Sequence, residues 1–487
     1  MLPVILFLQF LLTCYGEEFF VYPTLLQRRA ATSSLVLHIN DKIILNLERS
    51  SVLADELQFI TASDQGNELD MVDTSSIQES LYHDTHHQSS VRIREQDGVV
   101  QVEGVINSKL RIKPLPESER SSGGRMLHKI YDVHERQQGS FMEGRMLGRL
   151  QNDDQKDRRH RKSQEHDELE LPNRMMRRES RRAEGRNMNA ELFIVELHAM
   201  SDKAHQVNFK KNEDLIAYMA VMSNAVNLRY LDMKNPRIKF KLIGVTRSQN
   251  DSFSKVGKGT VESEPTLDGL GKYVKEGKLP GNPDLVYFAT GLDMIEFEQG
   301  RMSTGITGLA YRSEVCRRYR VGMGEDIPTS YSGVRTMAHE LAHILGSPHD
   351  KTPKCPWSEG YLMSYLDGGT KKYRLSTCSE EEIRKTVHSL PKSCFDEQSK
   401  TNYQAVYKRY PGQSVRPQYY CRRMLKVKGK RSKVSAKKPA FLSKQCKMNC
   451  CVQSSLADMC YKVNILEGME CTTGKTCRRG VCGDFNW

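Results

Sequence analysis

The sequence predicts an α/β chain: a mixed, twisted sheet flanked by helices at its centre, a largely β segment before it, and a disulfide-rich loop region after it. Three observations carry this expectation. Strand-like and helix-like patterns alternate from about residue 191 to 390, the signature of a sheet with helices packed on it. Short β-type runs precede that stretch. Twelve of the 13 cysteines fall between Cys316 and Cys482.

In chain order, Leu35-Val36-Leu37 and Ile43-Ile44-Leu45 read as strands, and Val99-Val100-Gln101-Val102 with Leu110-Arg111-Ile112 as another strand pair. Residues 151–186 are densely charged and poor in apolar side chains, an exposed linker by composition. Residues 191–197 read as a strand. Leu215, Met219, Met222, Val226 and Tyr230 follow at helical spacing on one face. Ile238, Phe240 and Leu242 alternate as a half-buried strand, and Leu267, Leu270 and Val274 suggest a second helix. Residues 284–290 and 305–311 read as strands and 334–345 as a helix. Ser379 followed by Glu382 reads as a capping box opening a last helix to about Leu390. Beyond Phe395 the chain turns basic and loop-like, then cysteine-dense.

The 487 residues suffice for two to four domains, and 38% hydrophobic content excludes a wholly disordered chain. No apolar run of membrane-spanning length follows the first twenty residues, so no transmembrane anchor is expected. The apolar run at 2–12 fits a secretory leader cleaved after Gly16; a buried strand is the competing reading. Loss of Cys14 leaves twelve cysteines, an even number, which points to disulfides in an oxidising compartment. Zinc ribbons want C-x-x-C pairs, and the sequence has none. Asn250-Asp251-Ser252 is a sequon for glycosylation at Asn250. The linker carries two R-x-x-R sites suited to convertases, ending at Arg161 and Arg181; processing is expected after Arg181.

The stretch 339–350 carries the chemistry. On a helix, His339 and His343 share one face and aim both imidazoles at one metal. Glu340 stands beside the open coordination position. Gly346 can end the helix in a left-handed conformation, letting His349 return as third ligand. Three neutral imidazoles plus a water make a catalytic zinc site, with Glu340 as general base and acid for peptide hydrolysis. The competing reading, histidines merely satisfied in a core, does not account for the extended pattern.

This extended motif, with Met363 in 360–365 as the methionine of the downstream turn, resembles the metzincins. Asp350 directly after the third histidine points to their reprolysin (adamalysin) branch, as do 375–379 and 305–310. The cysteine-rich stretch 467–482 is similar as well, and the layout looks most like secreted tick salivary metalloproteases. The resemblance implies a metzincin-type α+β catalytic domain with zinc in the cleft. It implies a leader at 1–16, a propeptide at 17–181, the catalytic domain at 182–397 and a basic cysteine-rich domain at 398–487. It implies Gly308, Leu309 and Ala310 as the edge strand that binds substrate, and disulfides Cys316–Cys394 and Cys355–Cys378. It implies a structural calcium held by Glu196, Asp284, the Cys394 carbonyl and Glu397. Host fibrinogen, fibrin or matrix proteins are the implied substrate class. Leu362 stands where venom enzymes usually carry a cysteine. With no cysteine between Cys14 and Cys316, a cysteine switch is impossible once the leader is gone. The histidines His83, His86 and His87 read as a solvated loop rather than as an inhibitory ligand set.

The net charge of +13 is unevenly placed. Residues 1–182 carry 25 basic and 28 acidic side chains, 183–399 carry 29 and 28, and 400–487 carry 19 and 4. The excess therefore belongs to the C-terminal region, densest between Lys426 and Lys438, which is expected to dock on anionic glycans, cell surfaces or acidic proteins; a solubilising linker competes. Nucleic acid is not an expected partner, and a monomer is. The rival function is an extracellular binding protein acting through this region; the intact Glu340 and histidines, and the lack of any Arg-Gly-Asp tripeptide, argue against it.

Overall fold

The structure is a computed structural model that describes residues 18–29, 32–63, 66–115, 125–133, 191–249, 251–279, 282–298, 300–397, 411–424, 434–452, 458–466, 468–478 and 480–484. The leader, the charged linker with Arg181, Asn250 and the basic residues Lys426 to Lys433 lie outside the described residues.

The N-terminal segment builds a nine-stranded, wholly antiparallel sheet from short strands, among them Ile43–Arg49, Leu81–Asp84, Ser89–Gln96, Val99–Val105 and Leu110–Pro114. Its own core holds Leu37, Leu45, Leu47, Val91 and Ile130. Two further strands leave this sheet: β1 (Leu53–Ser63) and β2 (Gly66–Asp73).

The central region alternates as expected: β3 (Leu192–Ser201), α1 (Asn212–Arg229), β4 (Arg237–Ser248), α2 (Ser263–Lys275), β5 (Leu285–Thr290), β6 (Gly308–Ala310), β7 (Val321–Glu325), α3 (Val334–Ile344) and α4 (Thr377–His388). The strands form a seven-stranded mixed sheet in the order β6-β7-β5-β3-β4-β1-β2. β3, β4, β5, β7 and β1 run parallel; β6 pairs antiparallel to β7, and β2 antiparallel to β1. Two of its seven strands thus come from the N-terminal segment.

Three expectations need adjustment. The helical spacing predicts one apolar face for α1, but residues all round it are buried, from Leu215 and Ile216 to Ala225 and Val226. Its second face is covered by the N-terminal sheet, where Ser90 Oγ donates to the Val221 carbonyl at 2.8 Å. The cap of α4 is Ser376, not Ser379: Ser376 is extended, and its Oγ accepts from Ser379 N at 3.1 Å, so Ser379 lies inside the first turn. The loop-like C-terminal region contains two three-stranded antiparallel sheets stapled by Cys421–Cys450, Cys446–Cys477, Cys451–Cys460 and Cys471–Cys482. A segment with a small core relies on such crosslinks.

Candidate metal and catalytic site

α3 buries Val334, Met337, Ala338, Leu341 and Ile344 and turns one face toward the cleft. Its N-terminus is anchored by the buried Asp326, whose Oδ1 accepts from Gly333 N at 2.7 Å. Oδ2 of Asp326 meets His205 Nε2 at 2.9 Å and accepts from the Tyr218 hydroxyl, tying α3 to α1. At the other end Gly346 has φ +119°, and a Cβ there would strike the Thr386 side chain, so only glycine makes this turn.

The turn brings three histidines together. Nε2 of His349 lies 3.0 Å from Nε2 of His339 and 3.2 Å from that of His343. Ligands about 2.0–2.1 Å from a tetrahedral zinc would stand about 3.3 Å apart, so this nitrogen cluster fits that ion. Each outer nitrogen is anchored. His339 Nδ1 donates to the Leu362 carbonyl and His343 Nδ1 to the Ser347 carbonyl, both at 2.8 Å. His349 Nδ1 shares a 2.9 Å hydrogen bond with the Tyr365 hydroxyl. Carbonyls only accept, so the first two rings carry Nδ1–H and present bare Nε2 lone pairs. Burial, with the neighbouring histidines second, holds His339 and His349 well below the usual imidazole range; burial alone leads for His343, at about 4. All three are neutral, as ligands must be. His339, His343 and His349 could therefore hold one zinc ion.

Glu340 is 2% exposed, and burial alone pushes its carboxyl up to about 8. A cation beside it would oppose that shift. Its space is made by Gly308: a Cβ there would lie 2.6 Å from Glu340 Oε1 and from Thr336 Cγ2. The strand Gly308–Ala310 thus runs along the glutamate at the outer edge of the sheet, paired among the described residues on one side only, to β7.

Met363 is buried in the protein core beside Leu362. The carbonyl of Met363 accepts from Asp350 N at 3.0 Å, while Asp350 Oδ1 accepts from Ser376 Oγ at 2.5 Å and Ser379 Oγ at 3.2 Å. Asp350 thus fastens the loop after His349 to both the methionine turn and the start of α4. Disulfides join Cys316 to Cys394 and Cys355 to Cys378 around this region. Sequence reasoning missed Tyr365 and Asp326. Tyr365 lies two residues past Met363, a position the methionine turn itself marks; nothing in the sequence ties Asp326 to the site.

The carboxylates expected for calcium are near one another but not free. Asp284 Oδ2 accepts from Glu196 N at 2.8 Å, and burial pushes the Asp284 carboxyl up to about 7. The buried ammonium of Lys241 sits 3.0 Å from Glu397 Oε2, and Lys241 is the cross-strand partner of Glu196. A positive charge therefore already stands among these groups.

The histidine loop is not solvated. His83, His86 and His87 are half-buried around Asp84, whose carboxylate accepts from Asn46 N, His86 N, His87 N and His87 Nδ1 at 2.7–3.1 Å. The carboxylate draws the loop inward because its buried oxygens need those donors. Of the basic stretch, Lys437 and Lys438 are described: Lys437 pairs with Asp458 at 2.7 Å and Lys438 donates to the Glu470 carbonyl.

Residues 290–399 match the model of the Reprolysin (M12B) family zinc metalloprotease. Venom metalloproteinase antarease TserMP_A of Tityus serrulatus is 24% identical over 352 residues, 67% of this chain and 82% of that protein. Venom metalloproteinase BumaMPs1 of Olivierus martensii is 24% identical over 399 residues, 77% of this chain and 92% of its own. A protein of Bombyx mori described as "A disintegrin and metalloproteinase with thrombospondin motifs like" is 27% identical over 251 residues, 45% of this chain and 36% of its own. The matched span includes the three histidines, Glu340 and Met363. Site and comparisons agree: the chain is a metalloendopeptidase whose residues 290–399 are similar to the reprolysin family.

Proposed function

We propose that the protein is a secreted, zinc-dependent endopeptidase made as a zymogen, which cuts extracellular host proteins of the fibrinogen, fibrin or matrix type. The observation that carries the activity is the convergence of three neutral, anchored imidazoles beside Glu340 and a one-sided sheet edge. His339, His343 and His349 would hold the zinc, which when bound acidifies water and polarises a peptide carbonyl. Gly308, Leu309 and Ala310 offer main-chain groups to an extended substrate, which adds as a further strand and lays its scissile bond along Glu340. The Glu340 carboxylate takes a proton from the attacking water and returns it to the leaving amine. Its cavity beside Gly308 holds the carboxylate where both transfers occur.

Secretion is supported by the apolar leader, by six disulfides and by relatives named as venom proteins. Among the described residues no helix is long and apolar enough to cross a membrane. Processing after Arg181, glycosylation at Asn250 and docking of the basic C-terminal region on anionic glycans complete the reading, for a monomeric enzyme. A structural calcium at Glu196, Asp284 and Glu397, which the resemblance implies, would have to share these carboxylates with the Lys241 ammonium.

Glu340→Gln protein tests the reading directly. Incubated with fibrinogen, it should leave the chains intact while wild type yields discrete fragments. Wild type stripped with a zinc chelator should lose cleavage and regain it with zinc. Cleavage undiminished in Glu340→Gln would sink the mechanism; a biological effect kept without cleavage would favour a binding protein. Retention on heparin at low salt tests docking.

A further inference from the structure

The protease region does not complete its own sheet. Its five strands end at β4, a twelve-residue strand whose free side would present a row of unpaired backbone groups. β1 of the N-terminal segment fills that side. It pairs in parallel with β4, setting Leu53 against Leu242, Gln58 against Gly244, Phe59 against Val245 and Ala62 against Ser248. Leu53, Leu57 and Phe59 enter one continuous core with Val195, Leu197 and Phe240. Polar contacts buried along the same boundary reinforce the seam. Ser50 Oγ donates to Asn224 Oδ1 at 2.8 Å, Asn224 Nδ2 to Ser90 Oγ at 3.0 Å, and Arg111 Nη2 to the Tyr331 carbonyl at 3.1 Å. Arg229 of α1 donates to Gln88 at 2.9 Å.

The substrate edge β6 lies at the opposite end of the sheet. Among the described residues, no hydrogen bond runs from the N-terminal segment to Glu340 or to the three histidines. A segment that merely plugged the cleft would show the reverse: few shared core residues and contacts at the site. With no cysteine between Cys14 and Cys316, nothing covalent would tie this segment to the protease once the linker is cut.

We propose that the N-terminal segment is a lasting structural partner of the protease. After cleavage in the linker it stays bound as the outer two strands of the sheet, and the working enzyme is a non-covalent two-chain protein with its cleft open at the far edge. Only the cleavage step rests on the zymogen reading above.

The test is to fold the full chain, nick it within 134–190 with trypsin or a convertase, and run size exclusion in native buffer. The two fragments should co-elute at the size of the uncut chain and part only in denaturant. Ser50→Ala with Ser90→Ala removes three hydrogen bonds from the boundary, with Asn224 Oδ1, Asn224 Nδ2 and the Val221 carbonyl, and should speed release of the fragment roughly a hundredfold, at about 1 kcal/mol per hydrogen bond. An N-terminal fragment that elutes alone in native buffer, leaving a protease with unchanged near-ultraviolet circular dichroism, overturns the proposal. So does release from the double variant at the wild-type rate. Nicking that changes no activity while the fragments co-elute would count against the zymogen reading and leave the partnership standing; a fragment that departs as activity rises would do the opposite.

Discussion

Removing the Tyr365 hydroxyl should weaken zinc binding without unfolding the site. Two of the three imidazoles are held by carbonyls, which force the proton onto Nδ1 and free Nε2 for metal. His349 is held by a phenol, which can either accept from Nδ1–H or donate to a bare Nδ1. Only the first arrangement lets His349 Nε2 bind metal. In Tyr365→Phe, the His349 Nδ1–H of the metal-bound form loses its acceptor in a half-buried setting, a cost of about 1–3 kcal/mol. At about 1.4 kcal/mol per tenfold, that is a rise of roughly 5- to 150-fold in the zinc dissociation constant, in the range usual for outer partners of metal-binding histidines. The ring also packs on His349, centroids 4.6 Å apart, and phenylalanine preserves that contact. Competition against a fluorescent zinc chelator reads the constant, and circular dichroism checks the fold. A folded Tyr365→Phe protein binding zinc within twofold of wild type would refute the reasoning, because the phenol would then do nothing for the ligand it touches.

Four further outcomes follow from the structure. Gly308→Ala places a Cβ against Glu340 and should lower kcat/KM at least about tenfold while zinc affinity, measured by the same competition, stays put. Burial first, then the negative charge of Asp84, push Glu48 up to about 8 against the pull of Arg478; His83 is its cross-strand partner. A raised folded-state value means that stability is fully present below about pH 4.5 and is lost as pH rises through about 8. Glu48→Gln, which stays neutral, should therefore match wild type in urea unfolding at pH 4.5 and exceed it by roughly 2–4 kcal/mol at pH 9. Lys241→Ala should destabilise by roughly 1–3 kcal/mol by taking the buried ammonium from the half-exposed carboxylate of Glu397. A calcium-selective chelator should shift the wild-type melting temperature little if that ammonium suffices; a large downward shift would show that calcium is held there as well.

The site was far more legible than its supports. A motif in which His339, Glu340, His343, Gly346 and His349 occur at fixed spacing encodes its own geometry: a helix sets the first pair, and one glycine turn returns the third ligand. Such information is local, so the sequence carries it whole. Tyr365 and Asp326 act through contacts between elements, and spacing cannot show that Tyr365 Oη meets His349 or that Asp326 joins α3 to α1. The histidine loop departs from its predicted solvation for the same reason: nothing adjacent in sequence says that Asp84 is buried with Asn46 across the sheet.

The same distinction explains the N-terminal segment. Apolar residues on all sides of α1 are the mark of a helix buried on two faces, and its sequence, Ile216, Ala217, Ala220 and Val221 beside the expected stripe, already carries that mark. What the sequence could not say is which element supplies the second face. A protease that folded alone would leave that face and the long edge of β4 in water, an aggregation-prone combination. Polar residues at those positions would have been the solution for a segment meant to leave. The apolar face of α1, and the parallel pairing of β4 with β1, suit a segment meant to stay.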